Sequence, residues 1–179
     1  MRVVLGAALL SLSQTGCNAL LEQAPGQLSV RSATLSSSGG AAVLELDLDC
    51  ALSGPMRDAL DHGIPIALDI ELRAGNPLWP GHKTRTRVVL RYYPLSRRYQ
   101  LQGLHAATER SFAVSAYLLD ALGSLRVDVP SAFASLPRGT PLRVDVGLDR
   151  ATLPGALRLP SLIEPAWRLS TDFAWSSAG

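Results

Sequence analysis

The chain has 179 residues, 17 of them Lys or Arg and 15 Asp or Glu, so its formal net charge is only +2. A balance that small gives no electrostatic case for a nucleic-acid partner. Charged residues make up 18% of the chain, below the ~25% of ordinary soluble domains, and an apolar content of 47% excludes a disordered chain and suits one packed domain.

The N-terminus reads as an export signal. Arg2 precedes the mainly apolar run Val3 to Leu12, too short to span a ~30 Å hydrocarbon core as a helix but long enough for the h-region of a secretory signal. Ser13-Gln14-Thr15-Gly16-Cys17 follows. A small residue before a cysteine resembles a lipobox, in which the chain is cut ahead of the cysteine and its thiol takes a diacylglyceryl group. Gln14 stands where that motif prefers Leu. Cys17 is thus the lipidation candidate, with cleavage further on without lipid and an uncleaved anchor as the alternatives. Residues 1–16 form the expected signal, 17–27 a tether around Pro25-Gly26, and 28–176 a single domain.

Beyond the tether, Leu28 to Ser36 alternates weakly and ends in the turn Ser36-Ser37-Ser38-Gly39-Gly40. Val43 to Cys50 alternates cleanly, with Leu44, Leu46, Leu48 and Cys50 on one face and Glu45, Asp47 and Asp49 on the other, the mark of a half-buried antiparallel strand. Cys17 and Cys50 could form one disulfide, but Cys50 on the apolar face reads well as a buried free thiol. Ser53 to Gly63 reads as a short helix with Ser53 as N-cap, Pro55 in the first turn and Gly63 as the stop. Ile64 to Arg73 and Arg85 to Tyr93 are further strands, and Pro94 to Arg98 turns the chain back into Tyr99 to Leu104. Phe112 to Leu122 is expected as a helix capped by Ser115, Val127 to Val129 as a short strand, and Leu142 to Leu148 as a strand. After a Leu-Pro corner, a terminal strand carries Trp167, Leu169, Thr171, Phe173 and Trp175 on one face. Seven or eight strands, one or two short helices and no βαβ rhythm predict a mainly β fold: an antiparallel two-layer β-sandwich, immunoglobulin-like in general shape.

Candidate chemistry is sparse. His62, His82 and His105 stand apart from each other and from cysteine, so no metal-ligand spacing exists. No Gly-x-Ser-x-Gly elbow, phosphate loop or cofactor motif appears. Asp47, Asp49, Asp69 and Glu71 would form a carboxylate cluster if their strands paired, and otherwise a solvated stripe. Between Leu72 and Thr108 there is no Asp or Glu, while Arg85, Arg87, Arg91, Arg97 and Arg98 are interleaved with Tyr93 and preceded by the loop residue Trp79. This is the candidate binding patch. The competing reading pairs Arg87 and Arg91 with Asp69, Glu71 or Asp47 across strands. Trp79 either contacts a partner or caps one end of the sandwich.

Several ordered blocks resemble a bacterial family designated domain of unknown function 4390. They are Ala59-Leu60 through Gly63-Ile64-Pro65 and the strand to Arg73, then Trp79, Arg91-Tyr92-Tyr93-Pro94-Leu95-Ser96-Arg97-Arg98-Tyr99, Leu148-Asp149 through Leu153-Pro154, and Trp167-Arg168-Leu169-Ser170. The resemblance implies export in proteobacteria and a genomic neighbourhood rich in two-component sensor kinases. It supplies no catalytic residue. The expectation is an exported protein, periplasmic or anchored facing the periplasm, that acts as a non-enzymatic binding or adaptor module for an envelope or membrane protein, with a membrane sensor as one such partner. A small-ligand or glycan module using the Arg/Tyr hairpin is the alternative, and a hydrolase is disfavoured.

Overall fold

The structure is a computed structural model that describes residues 24–38, 41–75, 81–105 and 109–177. Cys17 with the signal, the Gly39-Gly40 turn and Trp79 fall outside the described residues. The ordered elements are strands β1 (Gln27–Ser38), β2 (Ala41–Ala51), β3 (Ile66–Ala74), β4 (Lys83–Tyr93), β5 (Arg98–Gln102), β6 (Arg110–Phe112), β7 (Leu125–Val129), β8 (Pro141–Leu148) and β9 (Ser170–Ser176). Three short helices join them: α1 (Gly54–Asp61), α2 (Ser115–Asp120) and α3 (Gly155–Ile163). All strand pairs are antiparallel. They form a three-stranded sheet in the order β1-β2-β7 and a six-stranded sheet in the order β6-β5-β4-β3-β8-β9. This is the mainly β, two-layer sandwich that the strand periodicity predicts.

The period-two pattern places the core. Leu44, Leu46 and Leu48 on β2 point to one interior, and Ile66, Leu68, Ile70 and Leu72 on β3 point to it from the other sheet. Val88 and Leu90 on β4 and Val144 and Val146 on β8 flank them, in register with β3: Leu68 sits between Val88 and Leu148. Each fully buried Leu or Ile contributes about 1.5–3 kcal/mol of apolar burial, so this layer dominates the fold. α1 starts where expected, with the Ser53 hydroxyl accepting from the Met56 amide at 3.3 Å, and it packs Met56, Ala59 and Leu60 onto the core. His62 is its C-cap residue, with Nδ1 2.6 Å from the Asp58 carbonyl oxygen.

Three expectations change. The segment expected as one helix from Phe112 is instead the end of β6, then α2, then a 3-10 turn over Ala121–Ser124. Val114, not Ser115, occupies the cap position, with no side-chain bond. The terminal strand begins at Ser170, and Trp167 sits in a 3-10 turn (Pro165–Trp167), where it is 2% exposed. A helix, α3, occupies the region read as a corner.

Cys50 is buried, and burial aided by the neighbouring Asp49 charge pushes its thiol up to about 12. Only the thiolate is a good nucleophile. Cys50 is therefore expected to resist a maleimide in the folded chain at pH 7 and to react fully in guanidinium. Mass spectrometry of the Cys50 peptide checks this, and rapid native labelling would contradict the packing described.

Candidate functional site

The outward-facing side chains of the six-stranded sheet carry most of the candidate residues. Odd-numbered positions of β3 and β4 point away from the core, so Asp69, Glu71 and Arg73 stand opposite Arg87, Arg85 and Lys83 respectively. On the other side, Glu71 faces Asp145 and Arg73 faces Arg143 of β8. The result is a connected ionic face. Glu71 accepts from Arg73 Nε at 2.6 Å, and Lys83 Nζ and Arg85 reach it at 3.0 and 3.5 Å. Arg85 Nε also meets Asp69 at 3.0 Å. Arg87 pairs with Asp149 at the end of β8. Arg143 bridges Asp145 at 3.4 Å and Asp172 of β9 at 2.9 Å. Five carboxylates (Asp69, Glu71, Asp145, Asp149, Asp172) thus meet five cations (Arg73, Lys83, Arg85, Arg87, Arg143). The face is charge-balanced within itself. A depression of about 440 Å³ above it is lined by Asp69, Glu71, Arg73, Arg85, Asp145 and Asp172.

Two neighbouring carboxylates on this face behave oppositely. Burial pushes Asp69 above the usual aspartate range. Arg85 and Arg87 oppose this without reversing it, while the nearby Asp149 and Glu71 charges reinforce it. One oxygen of Asp69 is buried with no hydrogen-bond partner among the described residues. Burial also acts upward on Glu71, but hydrogen bonds and charge from Lys83 and Arg73 outweigh it and hold that carboxyl below the usual glutamate range. Linkage then gives opposite signs. The stabilisation from Glu71 is complete above the unfolded pKa of ~4.3 and is lost as pH falls through its lowered folded value. The cost of ionising Asp69 is present at neutral pH and is relieved as pH falls through its raised folded value. Glu71→Gln is expected to destabilise the chain by about 1–2 kcal/mol at pH 7, because three half-exposed cations lose their acceptor. Asp69→Asn is expected to leave stability at pH 7 unchanged or higher. Urea titrations at pH 4 and pH 7 separate the two, and equal losses at pH 7 would show that Asp69 is as well compensated as Glu71.

The structure divides the predicted patch. Arg85 and Arg87 are bound into the ionic face, but the cross-strand reading is not met for the residues it named: Arg87 pairs with Asp149 and Arg91 with a tyrosine ring, and it is Arg85 that meets Asp69 and Glu71. Arg91, Tyr93, Arg97 and Arg98 belong to the β4–β5 hairpin. Arg91 lies over the Tyr93 ring at 5.1 Å and pairs with no carboxylate among the described residues. The Tyr93 hydroxyl accepts from Gln102 Nε2 at 3.1 Å. Arg98 donates to the Ser111 hydroxyl at 2.7 Å and to the Ser111 carbonyl at 3.1 Å, tying β5 to the edge strand β6. Arg97 sits in the turn with φ 52°, and Leu95 beside it is fully exposed. The carboxylate cluster does not form as sketched from sequence. Asp47 and Asp49 lie on β2 of the other sheet, where Arg31 meets Asp47 at 3.2 Å, so they never join Asp69 and Glu71.

Periodicity reading missed α3. Leu159, Leu162 and Ile163 are 73%, 63% and 75% exposed, whereas Ser161 is 1% exposed with its hydroxyl donating to the Arg158 carbonyl at 2.7 Å. Arg158 turns back to donate to the carbonyls of Leu153 and Ala151 at 2.9 and 3.1 Å. The helix therefore buries only part of its apolar surface, through Leu157, and leaves a second apolar stripe in solvent, unlike an ordinary surface helix. The spacing 159, 162, 163 was the available signal, masked by Pro160. Between α3 and α1 lies a groove of about 380 Å³ lined in part by Leu157, Pro160, Ala59, Ile64 and Trp167. No helix among the described residues is long and apolar enough to cross a membrane, and no group of His, Cys, Asp or Glu among them is arranged to hold a metal ion.

The ordered blocks read from sequence agree with a family model. The model titled Domain of unknown function (DUF4390) matches residues 26–177, from just ahead of β1 to just past β9. Neither a curated protein nor a solved structure matches the chain. With the whole sandwich covered by that one model, the chain belongs to the DUF4390 family.

Proposed function

We propose that this is an exported protein of the cell envelope, held at a membrane by its N-terminal segment, and that it acts by binding rather than catalysis, as an adaptor for an envelope or membrane protein such as a membrane sensor. The observation that carries the reading is the solvent face of α3, where Leu159, Leu162 and Ile163 stand exposed together. Contiguous exposed apolar side chains on a soluble fold mark an interaction surface. The ionic face fits binding in that its five carboxylates and five cations pair with one another.

In-cell crosslinking with mass spectrometry, comparing the native chain with Cys17→Ala, tests this. One dominant envelope protein, lost or diminished in the variant, is the expected result. Recovery only with cytosolic proteins would overturn it. A second reading, an anion- or glycan-binding module, is favoured by one feature. Arg91, Arg97 and Arg98 have no ion-pair partner among the described residues, and a depression of about 470 Å³ beside Arg98 is lined by Arg110, Phe112 and Tyr117. Under that reading, Arg91→Ser with Arg97→Ser abolishes retention on an acidic-glycan resin while circular dichroism stays unchanged.

A further inference from the structure

We infer that the exposed face of α3 is a bilayer-docking surface, which seats this end of the sandwich on the membrane that the N-terminal segment reaches. The inference rests on the membrane-held reading above and assigns the α3 face to the bilayer in place of a protein partner, which would then sit on another face. Three features gather at the same end of the molecule. Gly26, the last residue before β1, lies against the segment that leads into β9 and the start of α1: a Cβ on it would come within 2.9 Å of Leu169 Cδ1, 3.2 Å of the Ala51 carbonyl oxygen and 3.5 Å of the Ser53 amide ahead of α1. α1 and α3 share one groove. The β4–β5 hairpin reaches this end too, because Tyr99 donates to Asp61 of α1 at 2.7 Å and Pro94 packs against Gly63. That hairpin carries the fully exposed Leu95 and, two residues on, Arg97.

The chain leaves the sandwich toward its N-terminus at that end. From Gly26 back to Cys17 is nine residues and back to the end of the apolar run at Leu12 is fourteen. These reach at most about 30 Å and 50 Å. An anchor at Cys17 has a reach shorter than the 12-residue β1, about 36–40 Å long, and so keeps this end nearer the bilayer than the far end, whereas an anchor at Leu12 reaches far enough to allow either. What it presents there fits an interface: Leu159, Leu162 and Ile163 on one helix and Leu95 on the hairpin tip, with the exposed Arg97 two residues after Leu95 and the exposed Arg168 five residues after the helix, against Glu164 at the helix C-cap and Asp58 and Asp61 on α1. A short helix with its apolar side to the acyl boundary and arginines at headgroup level is how peripheral proteins lie on membranes. The apolar contact is the principal attraction, since the nearby charges largely offset each other.

The test uses the full chain in cells. A photoreactive benzoylphenylalanine replaces Leu162 in one variant and Thr34 in another. Thr34 is exposed on β1 eight residues beyond Gly26, about 26 Å along the strand. With the chain in the membrane fraction, the Leu162 probe is expected to give phospholipid adducts in several-fold excess over the Thr34 probe. Adding Leu159→Gln and Ile163→Gln to the Leu162 variant should bring its yield down to the Thr34 level, with the circular dichroism spectrum retained. A membrane-fraction chain whose Leu162 probe captures a protein, a second copy of itself, or nothing overturns the docking and leaves the anchored reading standing. A chain found in the soluble fraction without lipid adducts overturns both.

Discussion

Leu68→Ala is expected to lower the stability of the folded chain by about 3–4 kcal/mol, with a fall in Tm of about 10 °C. Leu68 is fully buried in β3, and β3 lies between β4 and β8 in the six-stranded sheet. Its neighbours in register are Val88 and Leu148, and above it lies the leucine row of β2, which contributes to the same core. Both flanking strands are hydrogen-bonded on each side, so neither can collapse far into the vacated volume, and the cavity term adds to the lost transfer energy. Leu95→Ala makes the contrast. It removes an equal volume from a fully exposed site and is expected to change Tm by less than about 1 °C, within the ±0.5 kcal/mol typical of surface changes. Urea denaturation of the two variants measures the difference. A Leu68→Ala loss below about 1 kcal/mol would mean that the two sheets are not packed on each other as described.

Gly103→Ala is expected to cost a comparable amount, about 3 kcal/mol or more, for a different reason. Gly103 follows β5 with φ +86°, and a Cβ there would fall 2.2 Å from the Arg87 carbonyl oxygen. The left-handed conformation alone costs an alanine about 1–2 kcal/mol. The clash is with backbone, so relief demands that β4 itself shift, and β4 carries three of the five cations of the ionic face, Lys83, Arg85 and Arg87. Gly139 isolates the conformational part: its φ is +77°, but nothing lies within 4 Å of its Cβ position. Gly139→Ala is therefore expected to lose only about 1–2 kcal/mol. Equal losses at the two positions would show that the clash at Gly103 is relieved by a small local movement.

Much of the architecture was legible from residue order. Alternation over Val43 to Cys50, Ile64 to Arg73 and Leu142 to Leu148 placed the interior faces correctly because a half-buried strand admits one face only. The Ser53 cap with Pro55 and Gly63 likewise gave α1, since its signals are local. The missed helix shows where local reading fails. α3 holds Pro160 in its interior and starts after Pro154-Gly155. Proline in a helix removes a hydrogen bond and costs about 3 kcal/mol, so the sequence argues for a break. Contacts beyond its own residues offset that cost: Arg158 binds the carbonyls of the preceding turn, and Leu157 packs onto the core.

The sequence by itself determined the β class, the buried faces, the side of its strand that Cys50 occupies and the family to which these blocks belong. Period-two patterning and spaced motifs lie along the chain and require no knowledge of neighbours. Only the tertiary structure decided which charges meet. Asp47 and Asp69 occupy similar faces of similar strands, yet strand order sends one to the three-stranded sheet and the other to the six-stranded one. Arg87 and Arg91 are four residues apart on one face of β4, yet one finds Asp149 and the other a tyrosine ring. Likewise, only the packed end shows the start of β1, α3 and the hairpin tip gathered together. Sheet order and register are non-local, set by the burial of all strands at once, and they determine which side chains form a site.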